Sequence, residues 1–281
     1  MSKQFTAAAV MLLVDDGVIG LDDHIGRLLP RCAAHWRELT LHQLLSHTSG
    51  LEHWTGLPGF DVTRPGRADE FLERFADVPL RSVPGGTWHY SSPGYLLAAR
   101  VVEAVSGAAY ADLLTSRIIS PLGMTATVVG RTPPDCAAWG YRDGQRVDVA
   151  DFAAIPGTGD VWSTVGDLTR YTQAFEAGEL LSRASRQAIV GRHAELMNPA
   201  DPNGPVAAHA YGYGYFLGTM FGRRARFHPG DNPGYQSFLG YVPDIRATVA
   251  ILCNDEETSL DDLFREIAPE LAETGADPGA H

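Results

Sequence analysis

The chain is short of several things, and each shortage closes off a class of function. It has three cysteines in 281 residues, Cys32, Cys136 and Cys253. Their separations match neither a metal-ligand spacing nor a disulfide framework, so they read as isolated small apolar side chains. Basic residues are outnumbered, 22 against 34 acidic ones, for a net charge of −12 and no basic run. Nucleic acid and anionic membrane are therefore poor partners. No apolar run is long enough to span a membrane, and no internal repeat is evident. The nucleophile elbow G-x-S-x-G occurs nowhere, which counts against an α/β-hydrolase, and the zinc-peptidase pair H-E-x-x-H is also missing. Neither metal nor cofactor is expected.

What the chain does have is an ordinary soluble composition, 44% hydrophobic, in a length that holds one large domain or two small ones. Its first stretch sets the pattern. From Ser2 to Val14 there is no glycine or proline, and from Ala7 onward apolar residues lie on every side. That predicts a helix buried all round, with Lys3 at its start. A lysine followed by an apolar run imitates a signal peptide. Asp15-Asp16-Gly17 stand where a small-residue cleavage site belongs, so that reading is rejected.

Further along, Thr40 is placed to cap a short helix over 41–46 that breaks at His47-Thr48-Ser49-Gly50-Leu51. His47 is read as a side chain bonding the turn's backbone, not as a base. Residues 52–66 read as a loop, 69–75 as a short amphipathic helix and 83–87 as a turn. Helices are predicted from Leu96 to Val105 and from Tyr110 to Ile119, and 125–160 as a long surface excursion. Ser163 or Thr164 should cap a helix running to about Phe175; Ser163 is a nucleophile candidate by residue type alone.

After Pro205 the pattern turns to strand. Tyr211 to Phe216 alternates rings with glycines and predicts a strand with one bare face. Its glycines match no nucleotide fingerprint. Arg223 to His228 predicts a second strand, 229–234 a turn, and Tyr235 to Tyr241 a third strand. Ala247 to Leu252 is apolar on both faces, which predicts a central strand. Leu260 to Leu271 should be a closing amphipathic helix, and 274–281 a disordered tail.

Several phrases occur together and in order. They are Ser2-Lys3 opening the first helix, T-L-x-Q-L-L-S-H-T-S-G-L from Thr40, Tyr90-Ser91-Ser92-Pro93-Gly94-Tyr95, Pro121-Leu122-Gly123-Met124, the helix start at Gly159 to Leu168, and His228-Pro229-Gly230. With these the chain resembles the serine β-lactamase and penicillin-binding-protein-like hydrolases, from residue 2 to about 272. The resemblance implies an α+β fold: an antiparallel sheet flanked by helices, with a mostly helical lobe. It implies one domain over 1–281, its helical lobe about 4–195 and its sheet-and-helix lobe about 205–272.

It also implies roles. Lys3 is the lysine of S-x-x-K, a base made partly neutral by burial and by the positive helix end. Tyr90 relays a proton to the leaving group. His228 stands in the K-T-G or H-x-G position, Gly230 lets substrate lie against its strand, and the Asp231 N–H is a second oxyanion donor. Ser92 replaces the asparagine of the commoner Y-x-N, which disfavours strict β-lactamase activity more than esterase or peptidase activity. A neutral His228 also attracts a carboxylate less than lysine does.

In the same motif the nucleophilic serine falls one residue ahead of Met1. Ser2 cannot substitute, because adjacent helix positions do not face each other. The expectation is an N-terminally truncated serine hydrolase for a small ester, amide or β-lactam, inactive as given; the alternative is a non-catalytic binding protein of the same fold. The family's opening helix and two strands would be missing. That would leave strand 247–252 with an open edge prone to self-association. The compartment stays open: cytoplasmic as given, secreted or periplasmic if an export signal lies upstream.

Overall fold

The computed structural model describes residues 1–57, 67–130, 137–147, 155–197 and 204–273, with backbone alone for 270–273. The expected tail at 274–281, Cys136 and parts of the expected loops at 52–66 and 125–160 lie outside these residues. Helix α1, Ser2–Asp15, is buried on every side from Ser2 to Leu13. It is therefore a core helix, and the rest of the fold is built around it. Helices α2 (Ile25–Leu28), α3 (Leu41–Leu45), α4 (Ala68–Glu73), α5 (Ser92–Ser106), α6 (Tyr110–Leu114), α7 (Val165–Ala177) and α8 (Arg183–Ile189) follow, and α9 (Leu260–Glu273) closes the fold.

Local chemistry accounts for the helix ends nearest the site. Thr40 accepts from the Gln43 N–H while Gln43 reaches back to the Thr40 N–H, a complete capping box on α3. Ser91 caps α5, whose second helical residue is Pro93, and Gly107 closes it in the left-handed region. Thr164 caps α7 by accepting from Asp167. Ser163 instead pairs with the Thr127 hydroxyl at 2.7 Å.

Four short strands form two-stranded pairs, β1 (Val128–Val129) with β4 (Val161–Trp162) and β2 (Tyr141–Arg142) with β3 (Gln145–Arg146). The main sheet holds β5 (Ala194–Glu195), β6 (Val206–Tyr211), β7 (Phe216–Met220), β8 (Arg223–Asn232), β9 (Tyr235–Val242) and β10 (Ala247–Cys253). Its order is β10-β9-β8-β7-β6-β5, every pairing antiparallel. One face packs on α9, with Phe238 against Phe264 at 4.7 Å between ring centroids. The other face meets the α1 core, where the Gln4 amide donates to the Leu239 carbonyl.

Three strand expectations need correction. Residues 211–216 are not a strand: Tyr211 ends β6, Phe216 begins β7, and 212–215 make the reversal between them. The glycines of the alternation serve close approach, Gly212 to the Ile189 carbonyl and Gly214 to α1. Gly214 sits at φ +73°, and a Cβ there would lie 2.6 Å from the Lys3 carbonyl oxygen. Residues 229–232 are not a turn but the end of β8, still paired with β9 from His228↔Leu239 to Asn232↔Tyr235. β7 has already ended at Phe216↔Phe227. Pro229 thus stands where no β7 partner needs its missing N–H. Finally, β10 is not central: among the described residues its one sheet neighbour is β9. Its apolar faces are met by α7 on one side and by the Phe264 cluster on the other. Among the described residues, these helices are what cover its two apolar faces.

Candidate functional site

Three elements meet around the first turn of α1. Lys3 is 3% exposed, and it is the single lysine of the sequence. Its Nζ donates to the Ser92 hydroxyl at 3.2 Å and to the Thr158 carbonyl at 3.3 Å. It lies 4.8 Å from the centre of the Tyr90 ring. Burial lowers its pKa from 10.5 to about 7, with the Asp160 charge pulling the other way. Near neutral pH the amine is therefore a mixture of free base and ammonium, the range a general base needs. Asp160 is itself buried and raised to about 7 by that burial, against its hydrogen bond from the Gly157 N–H and the pull of Lys3.

The second element is the segment leading into α5. His47, fully buried at φ +60°, accepts the Ser91 N–H on Nδ1 at 3.1 Å, and its carbonyl accepts the His89 N–H at 2.8 Å. Those bonds hold the Tyr90 segment in place. His47 thus bonds backbone, as its turn position suggested. Burial raises the Tyr90 phenol well above its ordinary pKa, with a hydrogen bond from Ser92 opposing. At neutral pH it is a proton donor. Ser92 is buried at the start of α5, and its oxygen also faces the His53 Nε2 at 3.2 Å.

The third element is the end of β8. His228 is buried, with its ring 6.1 Å from Tyr90 between centroids. Its Nδ1 bonds the Pro229 carbonyl and its Nε2 meets the Tyr211 hydroxyl at 3.1 Å. With Nδ1 donating to a carbonyl, Nε2 accepts from Tyr211. Burial, then the Met1 amine, then Lys3 drive its pKa well below the ordinary value, so the ring is neutral. The Met1 nitrogen lies 3.4 Å from His228 Nδ1 and 3.2 Å from the Pro229 carbonyl. A Cβ on Gly230 would sit 3.3 Å from that nitrogen and 2.3 Å from the Ser237 hydroxyl.

Lys3, Tyr90, Ser92, His228 and Gly230 therefore share one place. Asp231 does not bring its side chain there: it is exposed, with Glu256 and Arg142 as charged neighbours. Ser2 also points elsewhere, accepting the Val161 N–H at 3.2 Å. His53, Tyr211, Thr158 and Asp160 belong to the site although no motif marked them. His53 and Thr158 lie in loops without periodicity, and Tyr211 lay hidden in the misread alternation. Among the described residues no group of three His, Cys, Asp or Glu side chains is arranged to hold a metal ion, and no helix is long and apolar enough to cross a membrane.

Comparison with known proteins identifies the family and the fold. A family model described as Beta-lactamase matches residues 1–272. Penicillin-binding protein 4* of Bacillus subtilis (strain 168) is 30% identical over 280 residues, covering 92% of this chain and 60% of that protein. Esterase EstB of Burkholderia gladioli is 28% identical over 268 residues, covering 78% of this chain and 65% of that protein. The chain thus spans less than two thirds of either. Among solved structures, D-amino acid amidase from Ochrobactrum anthropi SV3 superposes with a TM-score of 0.81 at 26% identity, covering 97% of this chain and 84% of that one.

Proposed function

The chain belongs to the Beta-lactamase family of serine hydrolases, and from that premise we propose that its cleft cleaves a small ester, amide or β-lactam through an acyl-enzyme. In this reading Lys3 is the base, Tyr90 delivers the proton to the leaving group, and His228 and Gly230 shape the wall against which substrate lies. The nucleophile is a serine standing directly before Met1. One observation carries the reading. The Met1 nitrogen, the atom to which a preceding residue is joined, sits between His228, Pro229 and Gly230, one helical turn from a lysine of depressed pKa.

The substitution of Ser92 for an amide and the neutral, doubly bonded His228 favour an uncharged ester or amide over a carboxylate-bearing substrate. Both ring nitrogens of His228 are committed within the protein, so neither is left to hold an anion. The Asp231 backbone N–H remains the second oxyanion donor in this reading, and its side chain takes no part.

A fluorophosphonate probe tests it. Residues 1–281 alone are expected to take no label, and a chain with serine directly before Met1 is expected to be labelled at that serine. Labelling of Ser2 would overturn the assignment of the first motif. No label in either chain would favour a non-catalytic binding protein of the same fold.

A further inference from the structure

The Ser92 hydroxyl has three neighbours and three hydrogen-bonding positions. A serine oxygen offers two acceptor lone pairs and one donor proton. Lys3 Nζ approaches it at 3.2 Å and His53 Nε2 at 3.2 Å, and the third contact is the Tyr90 phenol. The tautomer of His53 is settled by its other nitrogen. Nδ1 accepts the Thr55 backbone N–H at 3.2 Å and lies 2.8 Å from the Thr55 hydroxyl. The proton of the neutral ring is therefore on Nε2, aimed at Ser92. His53 stays neutral at working pH, because burial, Lys3 and His89 lower its pKa to about 4 against the pull of Glu52. Its ring is half-buried beside Trp54 and Tyr90, at 5.2 and 5.6 Å between centroids.

We propose that His53 is a positioning residue that orients the Ser92 hydroxyl into a one-way proton path from Lys3 to Tyr90. With His53 Nε2–H on one lone pair and the Lys3 ammonium on the other, the Ser92 proton has only Tyr90 to point at. The path balances. As the nucleophile's oxygen bonds the substrate carbonyl, its proton goes to the free amine of Lys3. As the bond to the leaving group breaks, Tyr90 gives its phenol proton to that group. Tyr90 is refilled from Ser92, and Ser92 from Lys3, so all three side chains return to their starting state. The imidazole of His53 reaches the Ser92 oxygen directly, at 3.2 Å.

The inference rests on the functional reading above, and its test separates the two. Because Lys3 is the only lysine, protein grown with 13Cε-lysine gives one resonance whose shift titrates the site directly in residues 1–281. Ser92→Ala removes an acceptor of the ammonium, and His53→Phe frees the hydroxyl to turn its proton toward the free amine. Both are expected to lower the Lys3 midpoint by about half a pH unit, the worth of one net hydrogen bond. His53→Gln keeps an N–H donor and should keep the wild-type midpoint. An unchanged midpoint in His53→Phe, or equal shifts in His53→Phe and His53→Gln, would overturn the proposal.

The second arm uses the chain with serine before Met1 and two esters of the same acid. An alkoxide leaving group needs the relayed proton, and p-nitrophenolate does not. His53→Phe should reduce kcat/KM for the alkyl ester roughly tenfold or more, a fraction of what general acid catalysis supplies. The p-nitrophenyl ester should lose several-fold less, since it feels only the change at Lys3. Equal losses on both esters would show mere structural damage and sink the proton path. If the unmutated chain hydrolyses neither ester, the functional reading fails, while the Lys3 titration still judges the hydrogen-bond hub.

Discussion

Lys3 weakens the fold that holds it. Its pKa is lowered from 10.5 to about 7 by burial. Below about pH 7 it is charged in folded and unfolded chains alike, and the full cost of burying the ammonium is present. Between about pH 7 and 10.5 the folded chain has shed a proton that the unfolded chain keeps, so this group's contribution to stability improves as pH rises. Lys3→Met removes that dependence. It also removes the cation that holds the Asp160 pKa down, so the variant's Asp160 stays neutral to higher pH, which acts in the same direction. The Tm of Lys3→Met minus that of wild type is therefore expected to be most positive near pH 6 and to fall toward pH 9. Thermal melts at both pH values measure it, and a difference that is flat or rises with pH contradicts the buried-amine account. Among the residues near Lys3, motif phrases could single out Tyr90, Ser92, His228 and Gly230. His53 reaches Ser92 only through the path of its loop, and Asp160 reaches Lys3 only through the turn at 155–160; nothing in their spacing signals either approach.

At the scale of elements, the β6–β7 reversal supports the start of α1. Gly214 has φ +73° and faces the Lys3 carbonyl at a distance no side chain tolerates. Gly214→Ala should lose on the order of 1–3 kcal/mol, from the left-handed backbone and the push against α1. The loss would appear as a lower urea midpoint, together with a moved Lys3 resonance. Wild-type stability in this variant would mean that the reversal moves freely and does not position the helix. The same reversal shows where sequence reading stops. A repeat of two residues has the period of a strand, and only three-dimensional contact reveals that the glycines serve close approach. α1 was legible because an apolar run on all sides of a helix has one stable place, the core. The extent of β8 was not, because Pro229 reads as a turn unless the absence of a β7 partner beside it is known. β10 was legible as a strand but not as to its place in the sheet, since two covering helices and two flanking strands leave the same apolar pattern.

At the scale of the whole molecule, the side of β10 that has no strand beside it among the described residues and the net charge of −12 act against each other. Ala247–Cys253 carries no charge and no proline, and Leu252 is 37% exposed. That is the pattern through which sheets of two molecules join. Repulsion between like-charged molecules is screened over about 10 Å at 0.1 M salt. Residues 1–281 are therefore expected to associate, more so as salt is raised, and Leu252→Lys should reduce the association. Size-exclusion chromatography with light scattering reads this out, and a monomer at all salt concentrations would mean that the edge is protected. The basic residues number 22, yet only one is a lysine, and it lies buried at the heart of the candidate site. Amine-directed reagents, which scatter over the surface of most proteins, here have one lysine and the neighbouring Met1 amine as targets, both at the candidate site. A dye or crosslinker that reaches either amine would report on the candidate site or block it. Protection of either amine from acylation would in turn serve as a footprint for any compound that occupies the site.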